Sequence, residues 1–292
     1  MGLTVAKAHA YANDFLLVAT DAARAFLPAD RRFAEASAKA EPPRAKTGMV
    51  REDFSGLARA LCDRHHGIGA DGLVLYDGRD RGAAMRLFNA DGSPSELSGN
   101  GLRCLAAWVA RTQGLGPGAA IAVDTGAGAK TLELLGYEGG RYTFRAALGP
   151  PEDVRQVTIP AGGESVTASV LRLGNPQCVV LGPLPDRDRF NRLGPALATH
   201  PMFPAGTNVE FAHVEAPDRV RILIWERGVG PTTSSGTGAS ASAVAAAAHG
   251  GAAREVDVIA PGGTQRVEWL DEGVYLTGWA EIVLEGDWLR EA

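Results

Sequence analysis

Two short turns in this chain combine residue types that do chemistry at the start of a helix. Residues 98–101 (SGNG) and 235–238 (SGTG) each place a serine and two glycines before an apolar run. This pattern predicts a helix capped by the serine. Because the first backbone N–H groups of a helix are unpaired, each turn offers donors to a carboxylate or a phosphate. A capped helix alone explains either turn by itself, whereas the pair together predicts an anion site.

The two turns occupy equivalent places in a repeated order of elements, 137 residues apart. In each half, strand-like runs lead to the turn, and the turn opens a helix. The second of these helices is rich in alanine on all faces, which is typical of a tightly buried helix. We therefore predict an α/β fold built by internal duplication, with each copy a sheet wrapped around its own helix. The predicted domains are residues 1–120, completed by about 278–292, and residues 121–277.

Composition restricts the class of protein. The chain has 292 residues, of which 45% are hydrophobic, and its formal net charge is −5 without a long basic run. A nucleic-acid or anionic-membrane partner is therefore not expected. Three scattered cysteines, Cys62, Cys104 and Cys178, form neither a disulfide framework nor a metal motif. The start has no signal-peptide pattern and no segment is long enough to cross a membrane, so we expect a cytoplasmic protein.

Some other motifs do not fit their usual function. Residues 67–72 (GIGADG) match a dinucleotide fingerprint by letter, but they follow a helix pattern and precede a strand, which is the reverse of the required order. The adjacent histidines His65 and His66 are better explained as the end of a helix than as metal ligands. No metal-binding motif is present, so no metal is expected. Residues 29–50 carry charges and prolines without periodicity, which indicates a surface loop.

The chain resembles the diaminopimelate epimerase family in a series of blocks that follow the family's order. Besides the two turns, these blocks are AYANDFLLV, CDRHHGIGADG, FNADGS, LGNPQCVV, FPAGTNVEF and ERGVG, between residue 7 and about residue 287. The resemblance implies a pseudo-symmetric fold of two α/β domains, each a mixed sheet rolled around a central helix. It also implies a homodimeric isomerase that converts LL- to meso-diaminopimelate, a precursor of lysine and the cell wall, without pyridoxal phosphate or metal.

The resemblance further implies which residues contact a small amino-acid substrate. The side chains carried over are Asn13, Asn89, Asn175, Asn208, Glu226 and Arg227. The backbone of Gly99, Asn100, Gly236 and Thr237 would hold the α-carboxylate, in agreement with the anion site expected at two helix starts. Asparagines are also common turn residues, so any one of them taken singly has a structural explanation. An arginine at position 227 is suited to gripping a carboxylate with two hydrogen bonds.

The chain departs from the family at the positions that carry the reaction. The family uses two cysteines on opposite faces of the substrate, one to remove the α-proton and the other to deliver one. Here Ser98 and Ser235 occupy those positions. Gln177 stands where the family usually has a histidine, and Ser240 replaces a further family cysteine. The groups implied to hold substrate are retained, whereas those that generate a thiolate have changed together.

The substitution has a chemical cost. A thiol has a pKa of about 8.5, whereas the pKa of an aliphatic hydroxyl is far higher and closer to that of water. Ionising serine therefore costs on the order of five or more pKa units extra, or about 7 kcal/mol at about 1.36 kcal/mol per unit. Helix dipoles recover only about 0.3–2 kcal/mol of this. Glu226 and His66 are the candidates for a neighbouring base. Three functions remain open: an epimerase with activated serines, a different isomerase or dehydratase on the same scaffold, and an amino-acid-binding protein without catalysis.

Overall fold

The computed structural model describes residues 2–27 and 54–289, so the predicted loop at 29–50 lies outside the described residues. The first half contains, in order, β1 (Leu3–Ala10), β2 (Asn13–Ala19), α1 (Thr20–Phe26), α2 (Phe54–Cys62), β3 (Gly72–Arg79), β4 (Gly82–Asn89), β5 (Pro94–Ser95), α3 (Gly99–Gln113), β6 (Ala120–Thr125), β7 (Gly128–Glu138) and β8 (Arg141–Gly149). The second half contains β9 (Glu152–Ala161), β10 (Glu164–Leu173), β11 (Asn175–Leu181), α4 (Arg187–Ala198), β12 (Asn208–Ala216), β13 (Arg219–Glu226), β14 (Gly230–Thr232), α5 (Gly236–His249), β15 (Glu255–Ala260), β16 (Gly263–Leu270) and β17 (Gly273–Trp288).

The strand pairings repeat between the halves, which confirms the predicted duplication. In the first half β2 runs parallel to β3, β3 antiparallel to β4, and β4 parallel to β6. In the second half β11, β12, β13 and β15 repeat these three pairings in the same order and sense. Each half therefore has the predicted mixed sheet, and in each the helix follows the second antiparallel hairpin.

The two halves are joined by strand β17. Its first part pairs with β8 of the first half and with β16 of the second. Its last part, up to Trp288, pairs with β1 at the beginning of the chain. The C-terminal strand therefore pairs with strands of both halves, and the predicted domains, residues 1–120 with about 278–292 and residues 121–277, stay a prediction.

Each sheet encloses one central helix. In α3, eleven consecutive residues from Asn100 to Ala110 are buried, and they pack among Phe15, Met85, Ile121 and Phe144. In α5, nine consecutive residues from Gly238 to Ala246 are buried. Alanine, serine and glycine have small side chains, so the surrounding strands approach this helix closely and bury it on all sides. Helices α3 and α5 contact each other where the two halves meet.

The structure adds elements that the sequence pattern did not reveal. Helix α4 is capped by Asp186, whose side chain accepts a hydrogen bond from the Arg189 backbone at 2.8 Å. Helix α2 ends at Cys62, before the GIGADG segment begins at Gly67. The reason is that Asp63 accepts the backbone N–H groups of His65 and His66, each at 2.7 Å, and turns the chain away. The GIGADG segment connects α2 to β3, in the order that the sequence indicated.

Candidate active site

The two serines cap the two central helices, as predicted. Ser98 Oγ accepts the backbone N–H of Gly101 and Ser235 Oγ accepts that of Gly238, each at 3.2 Å. Both serines have extended backbone angles, as N-cap residues do. Ser235 is 8% exposed and Ser98 is half-buried. Because each oxygen already accepts a backbone N–H, its hydroxyl proton is available for donation to another group.

The starts of the two helices converge on one guanidinium group. A Cβ atom built on Gly99 would lie 3.9 Å from Arg103 Nη1, and one built on Gly236 would lie 3.7 Å from the same nitrogen. Arg103 Nη2 also donates to the Asn100 side chain. The unpaired N–H groups of α3 and α5 therefore surround a single positively charged point, which is favourable for an anion.

A glutamate lies beside one of the serines. Glu226 and Asn89 are the last residues of the equivalent strands β13 and β4, and each precedes its serine by nine positions. Burial raises the pKa of Glu226, and hydrogen bonding from Thr232 and Ser235 opposes this increase only in part. The Thr232 hydroxyl has no partner of standard length and angle, so Glu226 is within reach of the two hydroxyls rather than tightly bonded to them. Catalytic hydrogen bonds are often long before substrate binds.

The other serine has no comparable base. At the position equivalent to Glu226, the Asn89 side chain donates to Ser93 Oγ at 2.9 Å and belongs to the turn before β5. Among the described residues no carboxylate forms a hydrogen bond with Ser98. His66, the second candidate base, is exposed and lies within an ion-pair distance of 3.4 Å from Asp63. Of the two serines, only Ser235 thus has a neighbouring carboxyl group among the described residues, that of Glu226.

The predicted substrate residue Asn13 belongs to a network in front of α3. Its Oδ1 accepts from Asn100 Nδ2 at 3.2 Å, and its Nδ2 donates to Asp71 at 2.9 Å. Asp71 in turn pairs with Arg64 at 2.9 Å. This network fixes the Asn100 side chain, whose backbone is part of the predicted carboxylate site.

Behind Ser235, a glutamine bridges an asparagine and a buried glutamate. One end of the Gln177 amide lies 2.6 Å from Asn175 Oδ1, and the other lies 3.1 Å from Glu210 Oε1. Glu210 is 0% exposed, and burial, with a smaller contribution from Glu226, raises its pKa well above the usual value. A neutral Glu210 donates its O–H to Gln177 Oε1, which leaves Gln177 Nε2 to donate to Asn175. With Glu210 protonated, the oxygen and the nitrogen of the Gln177 side-chain amide both have hydrogen-bond partners.

The same glutamate lies against the start of α5. A Cβ atom built on Gly238 would lie only 2.5 Å from Glu210 Oε1 and 3.1 Å from Ser235 Oγ. Only a glycine at position 238 therefore allows the helix start, Ser235 and Glu210 to come together. Sequence reasoning did not single out Glu210; the signal was an acidic residue inside an otherwise apolar strand, VEFAHV.

Asn208 and Arg227 lie together at one side of this arrangement. Asn208 Oδ1 accepts the backbone N–H of Arg227 at 2.9 Å, so its NH₂ group is the donor that it can offer to a ligand. The Arg227 side chain is exposed and donates to the Ala205 carbonyl at 2.7 Å. Of the predicted side chains, Asn13 is bonded to Asn100 at the start of α3, and Glu226 lies beside Ser235 at the start of α5.

The cysteines that remain do not replace the missing thiols. Cys62, Cys104 and Cys178 are all free and buried. Burial raises the pKa of each to about 12, so none is a thiolate near neutral pH. Within the described ranges, no group of three histidine, cysteine, aspartate or glutamate side chains is arranged to hold a metal ion. The groups that lie at Ser235 and are able to exchange protons are its own hydroxyl and the Glu226 carboxyl.

The fold is that of a class of racemases and epimerases built from two similar halves. A predicted epimerase from Pseudomonas aeruginosa superimposes with a TM-score of 0.66 at 15% identity, covering 99% of each chain. A hydroxyproline epimerase from Agrobacterium vitis superimposes with a TM-score of 0.61 at 15% identity, covering 98% of this chain and 90% of that one. At this level of identity, the likeness concerns the fold.

Sequence similarity identifies the family within that class. The profile of diaminopimelate epimerase matches residues 45–149 and 169–283. The chain is 43% identical over 256 residues to a diaminopimelate epimerase from Desulforudis audaxviator, covering 82% of this chain and 91% of that protein. It is 37% identical over 297 residues to one from Pelotomaculum thermopropionicum, covering 97% of both. The chain belongs to the diaminopimelate epimerase family, which confirms the resemblance seen in the sequence.

Proposed function

We propose that this chain is an isomerase that inverts the α carbon of diaminopimelate, LL to meso, without metal or pyridoxal phosphate. The observation that carries the proposal is the position of Glu226 beside Ser235, at the point where the starts of α3 and α5 converge. Membership of the family supports the substrate. The placement of a base compensates in part for the absence of thiols.

In this proposal Ser235 and Glu226 act together as the base. The α C–H bond breaks toward Ser235 Oγ while the Ser235 hydroxyl proton passes to Glu226, so that no free alkoxide accumulates. The raised pKa of Glu226 brings its basicity closer to neutral pH, where a general base is most effective. The resulting carbanion shares its charge with the carboxylate, and the backbone N–H groups of α3 and α5 stabilise that charge.

Ser98 delivers the proton to the opposite face. Its oxygen accepts the Gly101 N–H, which leaves its own proton to donate. Transfer of this proton forms the inverted α C–H bond, and Ser98 then regains a proton from solvent while Glu226 releases one. In the reverse direction Ser98 must act as the base without a carboxylate partner, so the slow step lies at this serine.

Two sets of groups then recognise the two ends of the substrate. The reacting α-carboxylate is held by Gly99, Asn100, Gly236 and Thr237 through backbone N–H groups. The distal ammonium and carboxylate are assigned to Asn175, Asn208 and Arg227, which lie on the α5 side of the site. Asn13 shapes the front of the site through its bond to Asn100, and Asn89 holds the turn before β5 through its bond to Ser93.

The decisive experiment follows LL-diaminopimelate in D₂O with the wild-type protein. Proton–deuterium exchange at the α carbon together with a change in circular dichroism supports the epimerase. Ser235→Ala and Glu226→Gln should each lower the rate by about 10²- to 10⁴-fold, the usual contribution of a general base. Binding without any exchange would leave the second candidate, an amino-acid-binding protein, which is favoured by the lack of a base at Ser98.

The family likeness also supports a homodimer and a cytoplasmic location. Near the end of β17 the side chains of Val283, Leu284 and Leu289 are exposed, 54%, 44% and 79% respectively, and offer apolar surface for a second copy. No helix in the described part of the chain is long and apolar enough to cross a membrane. Light scattering of the purified protein distinguishes a dimer from a monomer.

A further inference from the structure

A buried arginine lies where two helices of different halves begin, and the proposed proton transfers do not use it. Arg103 belongs to the second turn of α3 and is 4% exposed. Side chains on a helix incline toward its N-terminus, so the guanidinium group returns to the start of α3. There Nη1 is the atom that approaches both Gly99 and Gly236, while Nη2 donates to Asn100.

The charge of Arg103 is not compensated by the protein. Among the described residues no aspartate or glutamate pairs with it, and its Nε has no hydrogen-bond partner. The groups that act on it electrostatically are Tyr11 and Cys104, both buried and both with raised pKa values. An unpaired buried cation is unfavourable, because burial removes its hydration without supplying an opposite charge.

Residues of two other segments, Tyr11 and Gly278, nevertheless pack closely against the Arg103 side chain. The Tyr11 ring lies 5.6 Å from the guanidinium carbon, and Tyr11 and Ala12 both adopt left-handed backbone angles, with φ of 57° and 65°. Such angles are strained for residues other than glycine. On the other side, a Cβ atom built on Gly278 of β17 would lie 3.4 Å from Arg103 Nε. The fold therefore maintains a strained turn and a glycine around an uncompensated cation.

We propose that Arg103 is the cation of the α-carboxylate subsite, held between the starts of α3 and α5 to bind the carboxylate of an α-amino acid. This inference rests on the proposed function and adds to it a residue and a role. The carboxylate supplies the missing negative charge of Arg103, and the backbone N–H groups of both helices fix its two oxygens. When the α-proton leaves, the carboxylate gains further negative charge, and the nearby guanidinium stabilises it.

The test compares two ligands by calorimetry, diaminopimelate and L-lysine. Both have an α-carboxylate, whereas L-lysine lacks the distal one. Arg103→Met should weaken binding of both ligands by about 10- to 100-fold, the usual effect of losing a charged hydrogen bond. Arg227→Ala should weaken diaminopimelate and leave L-lysine unchanged. Arg145→Met is the matched control, since Arg145 also stacks on a tyrosine, Tyr275, but is paired with Glu268 at 2.9 Å.

A second variant separates a charge role from a structural one. In Arg103→Lys, the buried ammonium should have a lowered pKa, because burial disfavours its charged form. The affinity for L-lysine should then fall between pH 7 and pH 9 more steeply than in the wild type. Tyr11 and Cys104 do not titrate in that range, since burial raises the pKa of both. A purely structural role predicts no such pH dependence.

The outcomes distinguish this inference from the proposed function. Wild-type affinity for L-lysine in a folded Arg103→Met, or a flat pH profile in Arg103→Lys, would overturn the role of Arg103 alone. A wild-type protein that binds neither ligand would overturn both. Circular dichroism, with Arg145→Met for comparison, shows whether Arg103→Met folds. If it does not fold, the pH dependence of L-lysine binding by Arg103→Lys tests the role of Arg103.

Discussion

The Glu226 carboxyl group lies within reach of the Ser235 hydroxyl, whereas the equivalent strand end of the first half carries Asn89, whose side chain is bonded to Ser93. The two halves otherwise repeat each other closely in strand pairing, in helix position and in the N–H groups donated to the two serines. The site is therefore symmetric in shape and asymmetric in basicity. One face of a bound substrate meets a serine with a carboxylate, and the other face meets a serine without one.

This asymmetry predicts unequal exchange from the two stereoisomers of a substrate. A base that removes and returns a proton on its own face gives deuterium uptake without inversion. The isomer whose α-hydrogen faces Ser235 should exchange about 10²- to 10⁴-fold faster than the isomer whose hydrogen faces Ser98. Mass spectrometry of each isomer in D₂O measures the two rates, and Glu226→Gln should make them nearly equal.

The control for that comparison is Glu215→Gln, which removes an exposed carboxylate paired with Arg221 at the far end of β12. Its exchange rates should match those of the wild type. Equal rates for the two isomers in the wild type would show that Glu226 gives Ser235 no advantage as a base.

Chelation should leave any measured exchange unchanged. The described residues contain no cluster suited to a metal, and the proposed chemistry uses only hydroxyl, carboxyl and backbone N–H groups. The rate of α-proton exchange is measured before and after dialysis against a chelator, and again after divalent metal is restored. A loss on dialysis that metal reverses would contradict the proposed mechanism.

Glu210 should make the stability of the folded chain depend on pH. Burial raises its pKa well above 4.5 in the folded state, whereas the unfolded chain ionises it near 4.5. Between these two pKa values the folded state binds the extra proton, so this residue lowers the free energy of unfolding as pH rises. The slope is at most about 1.4 kcal/mol per pH unit.

Glu210→Gln keeps a donor to Gln177 but cannot ionise. The variant should have the stability of the wild type near pH 4.5 and exceed it increasingly at higher pH, as measured by urea unfolding. Glu215→Gln is a control with the opposite pH dependence. Arg221 lowers the pKa of Glu215, so the ionised Glu215 side chain stabilises the fold above the usual glutamate pKa, and the variant loses that stabilisation there. Parallel pH profiles for Glu210→Gln and wild type would mean that Glu210 is already ionised in the folded chain.

Local sequence was sufficient to predict the caps, the two central helices and the duplication. The reason is that an N-cap depends on three or four consecutive residues, and the turns at Ser98 and Ser235 contain all of them. The family blocks added the candidate substrate residues, which stay a prediction. Strand-like runs before each turn were also predicted, since the alternation of apolar residues is a local property.

The contacts that define the chemistry depend on distant segments, and of their residues only Glu226 was named from the sequence, as one of two candidate bases. Glu226 reaches Ser235 because the β13–β14 hairpin returns the chain beside the start of α5. In the sequence, Arg103 is only one polar position on a helix. Its place at the site depends on the start of α5, which comes from the other half of the chain. The sequence pattern places Glu210 on the solvent side of a strand, but both faces of β12 are buried at Val209, Glu210 and Phe211. Pattern alone does not tell which faces are covered.

The last prediction concerns the two serines. If the fold already places both side chains on opposite faces of an α carbon, only their acidity limits the reaction. Replacing a hydroxyl, whose pKa is far above neutral, by a thiol of pKa about 8.5 removes most of the ionisation cost, so Ser98→Cys with Ser235→Cys should raise inversion by orders of magnitude. Inversion needs an acid and a base together, so the double variant should greatly exceed either single one.

Ser235→Cys alone should increase exchange on its own face with little inversion. Circular dichroism and deuterium uptake on LL-diaminopimelate measure all four proteins. A double variant that folds and binds the substrate yet inverts no faster would show that the site differs from an epimerase in more than its two hydroxyls.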